Sequence, residues 1–351
     1  MPGVSHEFRC YCPGAIPGYG WSSDALDQAL EWGPDAIVAQ GTSSDIGPWY
    51  FGSSGRFTSG EAEERDLELM IGAARTLGVP FIVSVGGGGT DEQLEKSLGS
   101  IEAIAERRDW HLKIGIASGE LSKDYLQQAL DSGTVIHSLA ESDRIVDPLT
   151  LDQVDEAERI VAQMGPEVIQ QVLSLGVDGV VVGRSLDAGL VAAMPIMSGF
   201  DPAIAYGFGT LLNDGVSAAV PGAVDGCFGI LRHDSFDLTP TAKNERCTPE
   251  SVLAAVMRER ATLDFEPNPG GTLDFRDIRL EQMSDQRTVR VSGFGWHAQP
   301  YTVKVEGVKR AGFRAIVIAG FRDPTNIANY EHLPVRVRNR VEEVLSIPSG
   351  S

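Results

Sequence analysis

One rhythm constrains this chain more than any other property. Short β-branched runs alternate with longer amphipathic ones, and each short run ends in a compact polar loop. The runs that read as buried strands are AIVAQ (36–40), FIVSV (81–85), LKIGIA (112–117), TVIHSL (134–139) and GVVVG (179–183). Strands alternating with helical stretches build βαβ units, so the expected fold class is α/β, a mainly parallel sheet flanked by helices. In such a sheet the strand-to-helix loops emerge on one edge, which is where ligands bind. Those loops are GTSSD with Ser43, Ser44 and Asp45; GGGGTD with Gly86, Gly87, Gly88, Gly89, Thr90 and Asp91; SGE with Glu120; AESD with Glu141 and Asp143; and RSLD with Arg184 and Asp187.

The rhythm changes near GCFGILRHDSFDLTP (226–240). A helical run, TPESVLAAVMRERAT, then leads into the Pro/Gly-rich FEPNPGGTLDF and into closely spaced alternating runs: DIRLEQM, TVRVSGFGW, YTVKVEGVKRAG and FRAIVIAGFRD. Close spacing of short alternating runs favours antiparallel hairpins. The expected organisation is a parallel α/β domain over 5–235 carrying the candidate site, a smaller C-terminal α+β domain over 236–345 closing on the helix LPVRVRNRVEEVL, and a flexible tail at 346–351.

Charge narrows the partners. With 29 Lys and Arg against 49 Asp and Glu the net charge is −20, whereas binding to a polyanion needs basic residues to neutralise phosphates. No nucleic acid is expected. The acid excess is spread over runs read as helical, such as SGEAEERDLELM and LDQVDEAERIV, as a solvated face. A small anionic substrate held by local Arg residues or backbone amides stays compatible with it. No apolar run approaches the roughly 18 residues that span a bilayer, and MPGVSHEFRC lacks the basic and apolar regions of a secretory signal. No membrane partner and a cytoplasmic location are therefore expected. Cys10, Cys12, Cys227 and Cys247 read as reduced thiols. Trp21, Trp49, Tyr50 and Phe51 read as exposed aromatics that invite a homo-oligomer.

Four stretches carry candidate chemistry, each beside a plainer reading. Gly86 to Gly89, between a strand and a helix, suit a phosphate or carboxylate approaching backbone amides at a helix N-terminus; close packing of helix on sheet is the alternative. The glycines fit neither a Walker loop nor a dinucleotide fingerprint. Arg184 could pin a carboxylate through its fork, with Asp187 orienting it or serving as acid or base, or the two could simply cap a helix. His233, Asp234 and Asp237 offer metal ligands but lack a completing cluster, so an exposed turn explains them as well and no metal is assigned. Trp296, His297, Tyr301 and Lys304 could close over an acyl or ring substrate, or form a packed hairpin.

The loops, taken in order, resemble those of the acyclic terpene utilisation family of AtuA-type proteins. The resemblance runs from GAIPGYGWSSDALDQALEWGPDAIVAQGTSSDIG through FIVSVGGGGTDEQLEKSLGSIEAIAERRDWHLKIGIASGEL to VVVGRSLDAGLVAAMP and the TLDF and YTVKV passages. It includes a G-R-x-x-D stretch (Gly183, Arg184, Asp187) and the glycine loop, with Gly119 and Glu120 standing where the family has Gly-Asp. TPTAKNERCTPE departs from the family's Gly-rich T-G-G, and LLNDGVSAAVPG lacks its Cys-Gly pair.

The resemblance implies catabolism of branched, terpenoid or other carboxylic acids, often as acyl-CoA thioesters. Together with the loops it gives the leading expectation: a lyase, hydratase or isomerase working by acid/base proton transfer on a small carboxylate or its CoA thioester. Asp187, Glu120 and Asp45 are the candidate catalytic carboxylates. Arg184, Gly86 to Gly89, Thr90, Ser43, Ser44 and His297 are the candidate substrate contacts. No cofactor is expected beyond a CoA moiety of the substrate. The alternatives are a noncatalytic ligand-binding or scaffold subunit working with a partner subunit, and a hydrolase with a Ser or Cys nucleophile such as Cys12.

Overall fold

A computed structural model describes residues 7–139, 146–213, 217–222, 225–258, 262, 264–313, 316, 318 and 320–345. Its strands, in chain order, are β1 (Phe8–Cys12), β2 (Ala36–Ala39), β3 (Phe81–Ser84), β4 (Ile114–Ala117), β5 (Ala157–Ala162), β6 (Gly179–Val182), β7 (Ala219–Val220), β8 (Cys227–Leu231), β9 (Ser235–Pro240), β10 (Arg246–Cys247), β11 (Phe265–Asn268), β12 (Gly271–Asp274), β13 (Arg279–Gln282), β14 (Val289–Ser292), β15 (Gly295–Ala298) and β16 (Val305–Lys309). The helices are α1 (Ser23–Glu31), α2 (Pro48–Ser53), α3 (Gly60–Leu77), α4 (Asp91–Arg108), α5 (Lys123–Asp131), α6 (Leu151–Glu156), α7 (Pro166–Leu173), α8 (Asp187–Met197), α9 (Pro202–Leu212), α10 (Pro249–Met257), α11 (Pro324–Ala328) and α12 (Leu333–Leu345).

Nine strands form one sheet in the order β13-β14-β9-β8-β1-β2-β3-β6-β4. The half from β1 to β4 is parallel and the half from β8 to β13 antiparallel. The fold is α/β. Alternation along the strands explains why both faces are covered. Cys10, Cys12, Val38, Ile82, Val180 and Val182 pack with residues of α8, α9 and α10. Their neighbours Tyr11, Ile37, Ala39, Phe81, Val83 and Val181 pack with residues of α1, α3 and α4.

Helix ends follow local chemistry. Thr90 opens α4 with a reciprocal capping box to Gln93, Asp91 and Glu92 lie at its positive end, and Arg107 and Arg108 lie at its negative end. Such pairing favours helix over the competing strand for a run this polar.

Four of the five expected parallel strands form. TVIHSL does not: Val135 and Leu139 are exposed, and the Asp147 carboxylate takes the Ser138 amide that a ladder would have used. A strand stands instead where LDQVDEAERIV reads as helix, because α6 stops at Glu156 and the next six residues extend as β5. β5 pairs with β16 in a separate antiparallel ribbon. None of the described residues of FRAIVIAGFRD is in a strand. The AESD loop and the 346–351 tail lie outside the described residues. Trp21 and Phe51 are core residues rather than exposed ones: the Asp66 carboxylate gathers the amides of Gly18, Gly20 and Trp21 and draws that loop inward, and Phe51 packs from α2 against Gly88. Trp49 is exposed.

Chain contacts divide the protein into residues 1–310 and 311–351. Where the sequence suggests a boundary near 235, β9 is hydrogen-bonded between β8 and β14 inside the nine-stranded sheet. The second unit contains α11 and α12 among its described residues. No described helix is long and apolar enough to cross a membrane.

Candidate functional site

The loops that follow β2, β3, β4 and β6 are stitched together at one edge of the sheet. The Gly87 amide donates to the Gly41 carbonyl at 3.0 Å, the Ser43 amide to the Gly87 carbonyl at 2.8 Å, and the Arg184 amide to the Gly89 carbonyl at 3.1 Å. The Asp91 amide donates to Glu120 Oε2 at 2.7 Å. Arg184, the glycine loop and Glu120 therefore share one edge.

The glycine run is filled by the protein itself. Gly89 has φ +72°, and a Cβ there would stand 2.3 Å from the Arg184 amide nitrogen; Gly86 has φ +90°, and a Cβ would stand 2.5 Å from the Gln93 Cβ. Only glycine permits this backbone at these distances. Ile46 and Phe57 crowd Gly87, and Gln93 and Phe51 crowd Gly88. The Gly87 and Gly88 amides already donate to carbonyls. Thr90 is wholly buried as the cap of α4 and bonds Ser54 Oγ at 2.9 Å.

Arg184 is the electrostatic centre. Its side chain is 3 % exposed. Nη1 donates to the Thr42 carbonyl at 3.0 Å, to the Ser185 carbonyl at 3.2 Å and to Asp187 Oδ1 at 3.0 Å. Nε and Nη2 donate to Glu306 Oε2 at 2.9 Å and Oε1 at 3.4 Å. The fork expected to face a substrate carboxylate thus faces an internal one. A guanidinium taken out of water costs several kcal/mol unless paired, and Glu306 and Asp187 together supply the pairing.

The surroundings shift the two carboxyls in opposite directions. Glu306, 13 % exposed, also accepts from Gln163 Nε2 at 2.8 Å and meets Lys304 Nζ at 3.1 Å. Burial pushes its pKa up, but the Arg184 bonds and charge and the Lys304 charge outweigh that and bring it to about 2. For Asp187 burial wins over the Arg184 charge and the carboxyl rises to about 6. Asp187 nevertheless keeps 29 % of its side-chain surface open. It is the first residue of α8, whose N-cap Leu186 offers no side-chain cap. A carboxyl whose pKa is raised by burial, that is held in place and that touches solvent can both take and give a proton.

The other candidates lie around this centre in different roles. Glu120 accepts from the α4 N-terminus and from Arg159 Nη1 at 3.1 Å. Ser43 Oγ caps the short turn Ser44–Ile46 by accepting from the Asp45 amide at 3.1 Å, and Ser44 and Asp45 are exposed. His297, on β15, is bonded to Asp274 at 2.8 Å and not to the Arg184 cluster; Trp296 beside it stacks on Tyr206. Asp237 is gripped by Arg232 and Arg290, which accounts for it without a cation. Among the described residues no group of three or more His, Cys, Asp or Glu is placed to hold a metal. Cys12 is buried and donates Sγ–H to the Asn213 carbonyl at 3.0 Å.

Sequence reasoning does not single out Glu306, Gln163 or Thr42. The one available signal is the i, i+2 pair Lys304 and Glu306 in TVKVEG, which shares a strand face and reads as a solvated edge.

Residues 233–347 match the family model described as acyclic terpene utilisation family protein AtuA. The matched span includes TLDF, YTVKV, Lys304 and Glu306, while Arg184 and Asp187 lie before it. No curated protein and no solved structure matches the chain.

Proposed function

Because this chain is AtuA-like over residues 233–347, we propose that it has a catabolic role in acyclic terpene utilisation and that it is an enzyme, a lyase, hydratase or isomerase, of small carboxylic acids or their acyl-CoA thioesters. The observation that carries the reaction type is Asp187: a carboxyl positioned by Arg184, partly open to solvent, with burial raising its pKa from the ordinary 3.8 to about 6. It takes or returns the proton next to the substrate carbonyl. Arg184, with its N–H groups turned inward, holds Asp187 rather than the substrate. Lys304, 39 % exposed, is the cation that meets the substrate's anionic group. No redox step and no cofactor of the protein enter this scheme. A buried Cys12 bonded to a carbonyl argues against a thiol nucleophile.

The test is solvent deuterium. A panel of branched and unbranched free acids and CoA thioesters is incubated with the protein in D2O, and proton NMR follows exchange beside the carbonyl. The wild type is expected to exchange at least one member. Asp187→Asn should lose that exchange by 100-fold or more, the scale of general acid–base catalysis, while melting within a few degrees of the wild type. Full exchange in Asp187→Asn would refute the assignment. Tight binding of a panel member without exchange or turnover would favour the noncatalytic ligand-binding subunit instead.

A further inference from the structure

Arg184 carries one positive charge between two carboxylates, and the division is unequal. Glu306 receives Nε and Nη2, at 2.9 and 3.4 Å. Asp187 receives only Nη1, at 3.0 Å, and shares it with the carbonyls of Thr42 and Ser185. Exposure follows the same order, with Glu306 at 13 % and Asp187 at 29 %. Glu306 is fixed from further sides by Gln163 and Lys304 and by the register that sets it opposite Val161 in the β5–β16 ribbon.

We propose that Glu306 is a positioning residue for Asp187: by occupying the fork of Arg184 it turns the guanidinium away from Asp187 and leaves that carboxyl under-neutralised on the open side of the site. This rests on Asp187 being the proton-transfer group. The charged groups facing Asp187 are Arg184 from its own loop, Glu306 from β16 and Lys304 just before β16. On α7, which packs along α8, Glu167 is engaged by the Tyr301 hydroxyl. Arg184 and Lys304 favour the charged form of Asp187, whereas Glu306 opposes it, both by direct repulsion and by drawing off Arg184. Without Glu306, Arg184 is free to swing fully onto Asp187, and the proton acceptor becomes an ordinary salt-bridged carboxylate.

The experiment is a carboxyl titration that needs no substrate. Full-length protein is labelled with 13Cγ aspartate, and the Asp187 resonance is identified by its loss in Asp187→Asn. Its midpoint is then followed by carboxyl 13C NMR in wild type, Glu306→Gln and Glu306→Asp. In Glu306→Gln the midpoint should fall by about one unit or more, a tenfold change in acid strength. In Glu306→Asp, which keeps the charge but draws it back by one methylene, it should fall by less. If Glu306→Gln fails to fold, the Glu306→Asp titration decides alone. A midpoint that stays in place or rises in the folded variants overturns the proposal. A midpoint that falls as expected, in a protein exchanging no acid or thioester, would keep Glu306 as the neighbour controlling Asp187 and overturn the chemical role given to Asp187. Where exchange is measurable, its pH midpoint should move down with the titration in Glu306→Gln, and a merely structural Glu306 would leave that profile in place.

Discussion

Gly89 and Gly78 make a controlled pair for testing how the site is built. Both have positive φ, +72° and +67°. Around Gly78, the cap of α3, nothing lies within 4 Å of an added Cβ, whereas at Gly89 the Arg184 backbone nitrogen and Cα lie 2.3 and 2.7 Å away. Gly78→Ala therefore incurs only the left-handed strain of a side chain, about 1 kcal/mol. Gly89→Ala incurs that strain and also forces apart two backbones at the ends of β3 and β6. Overpacking of this kind adds about 1–3 kcal/mol, and a backbone neighbour cannot rotate out of the way. The expected losses are about 1 kcal/mol for Gly78→Ala and about 3 kcal/mol for Gly89→Ala. With an unfolding entropy of about 2 cal/mol/K per residue, these correspond to falls in melting temperature of about 1 °C and about 4 °C in a chain of this size. Differential scanning calorimetry, with urea unfolding as a second measure, reads both. Gly89→Ala should also lose exchange activity, because Arg184 is displaced with its backbone. Equal melting temperatures for the two variants would refute the close approach and reopen the glycine run as a ligand cradle.

Four further outcomes follow from the structure. Arg184→Ala leaves Glu306 and Asp187 without their shared cation and should destabilise the protein by about 3–5 kcal/mol in urea unfolding, so its loss of activity is to be read beside Asp187→Asn rather than alone. Asp187 is raised from its ordinary 3.8 to about 6, so the native state binds that proton more tightly than the unfolded chain; its contribution to stability falls as pH rises from about 4 to about 6, and the difference in melting temperature between wild type and Asp187→Asn should show that slope. Glu306 has the opposite sign: with its pKa lowered to about 2, its contribution is present above its ordinary value and lost as pH falls toward 2. All four cysteines are buried, so Ellman's reagent should find no fast-reacting thiol in the native protein and four after denaturation.

The parallel half of the fold was legible because Phe81–Ser84 and Gly179–Val182 are apolar on both faces and end in glycine or polar turns. TVIHSL carries the same β-branched residues, but an Asp147 side chain ten residues away outcompetes a strand partner that no local pattern could exclude. AERIVA was masked by the acidic helix before it, from which it turns with neither Gly nor Pro at the junction. In the site, Arg184 and Asp187 were legible because they lie three residues apart after a buried strand. Their allegiance was not, because Glu306 is 122 residues away from Arg184 in sequence. The glycines were conspicuous for the right physical reason, a close approach, although the approaching group is the chain's own backbone.

The β5–β16 ribbon has a consequence for biosynthesis. As the polypeptide leaves the ribosome, every loop of the sheet edge up to Asp187 emerges more than a hundred residues before Glu306, so the nascent chain must carry Arg184 without its main counter-ion. The centre can close only after β16 has been made and paired with β5. A gene split or fused anywhere between those two points would divide one constellation of charges between two products.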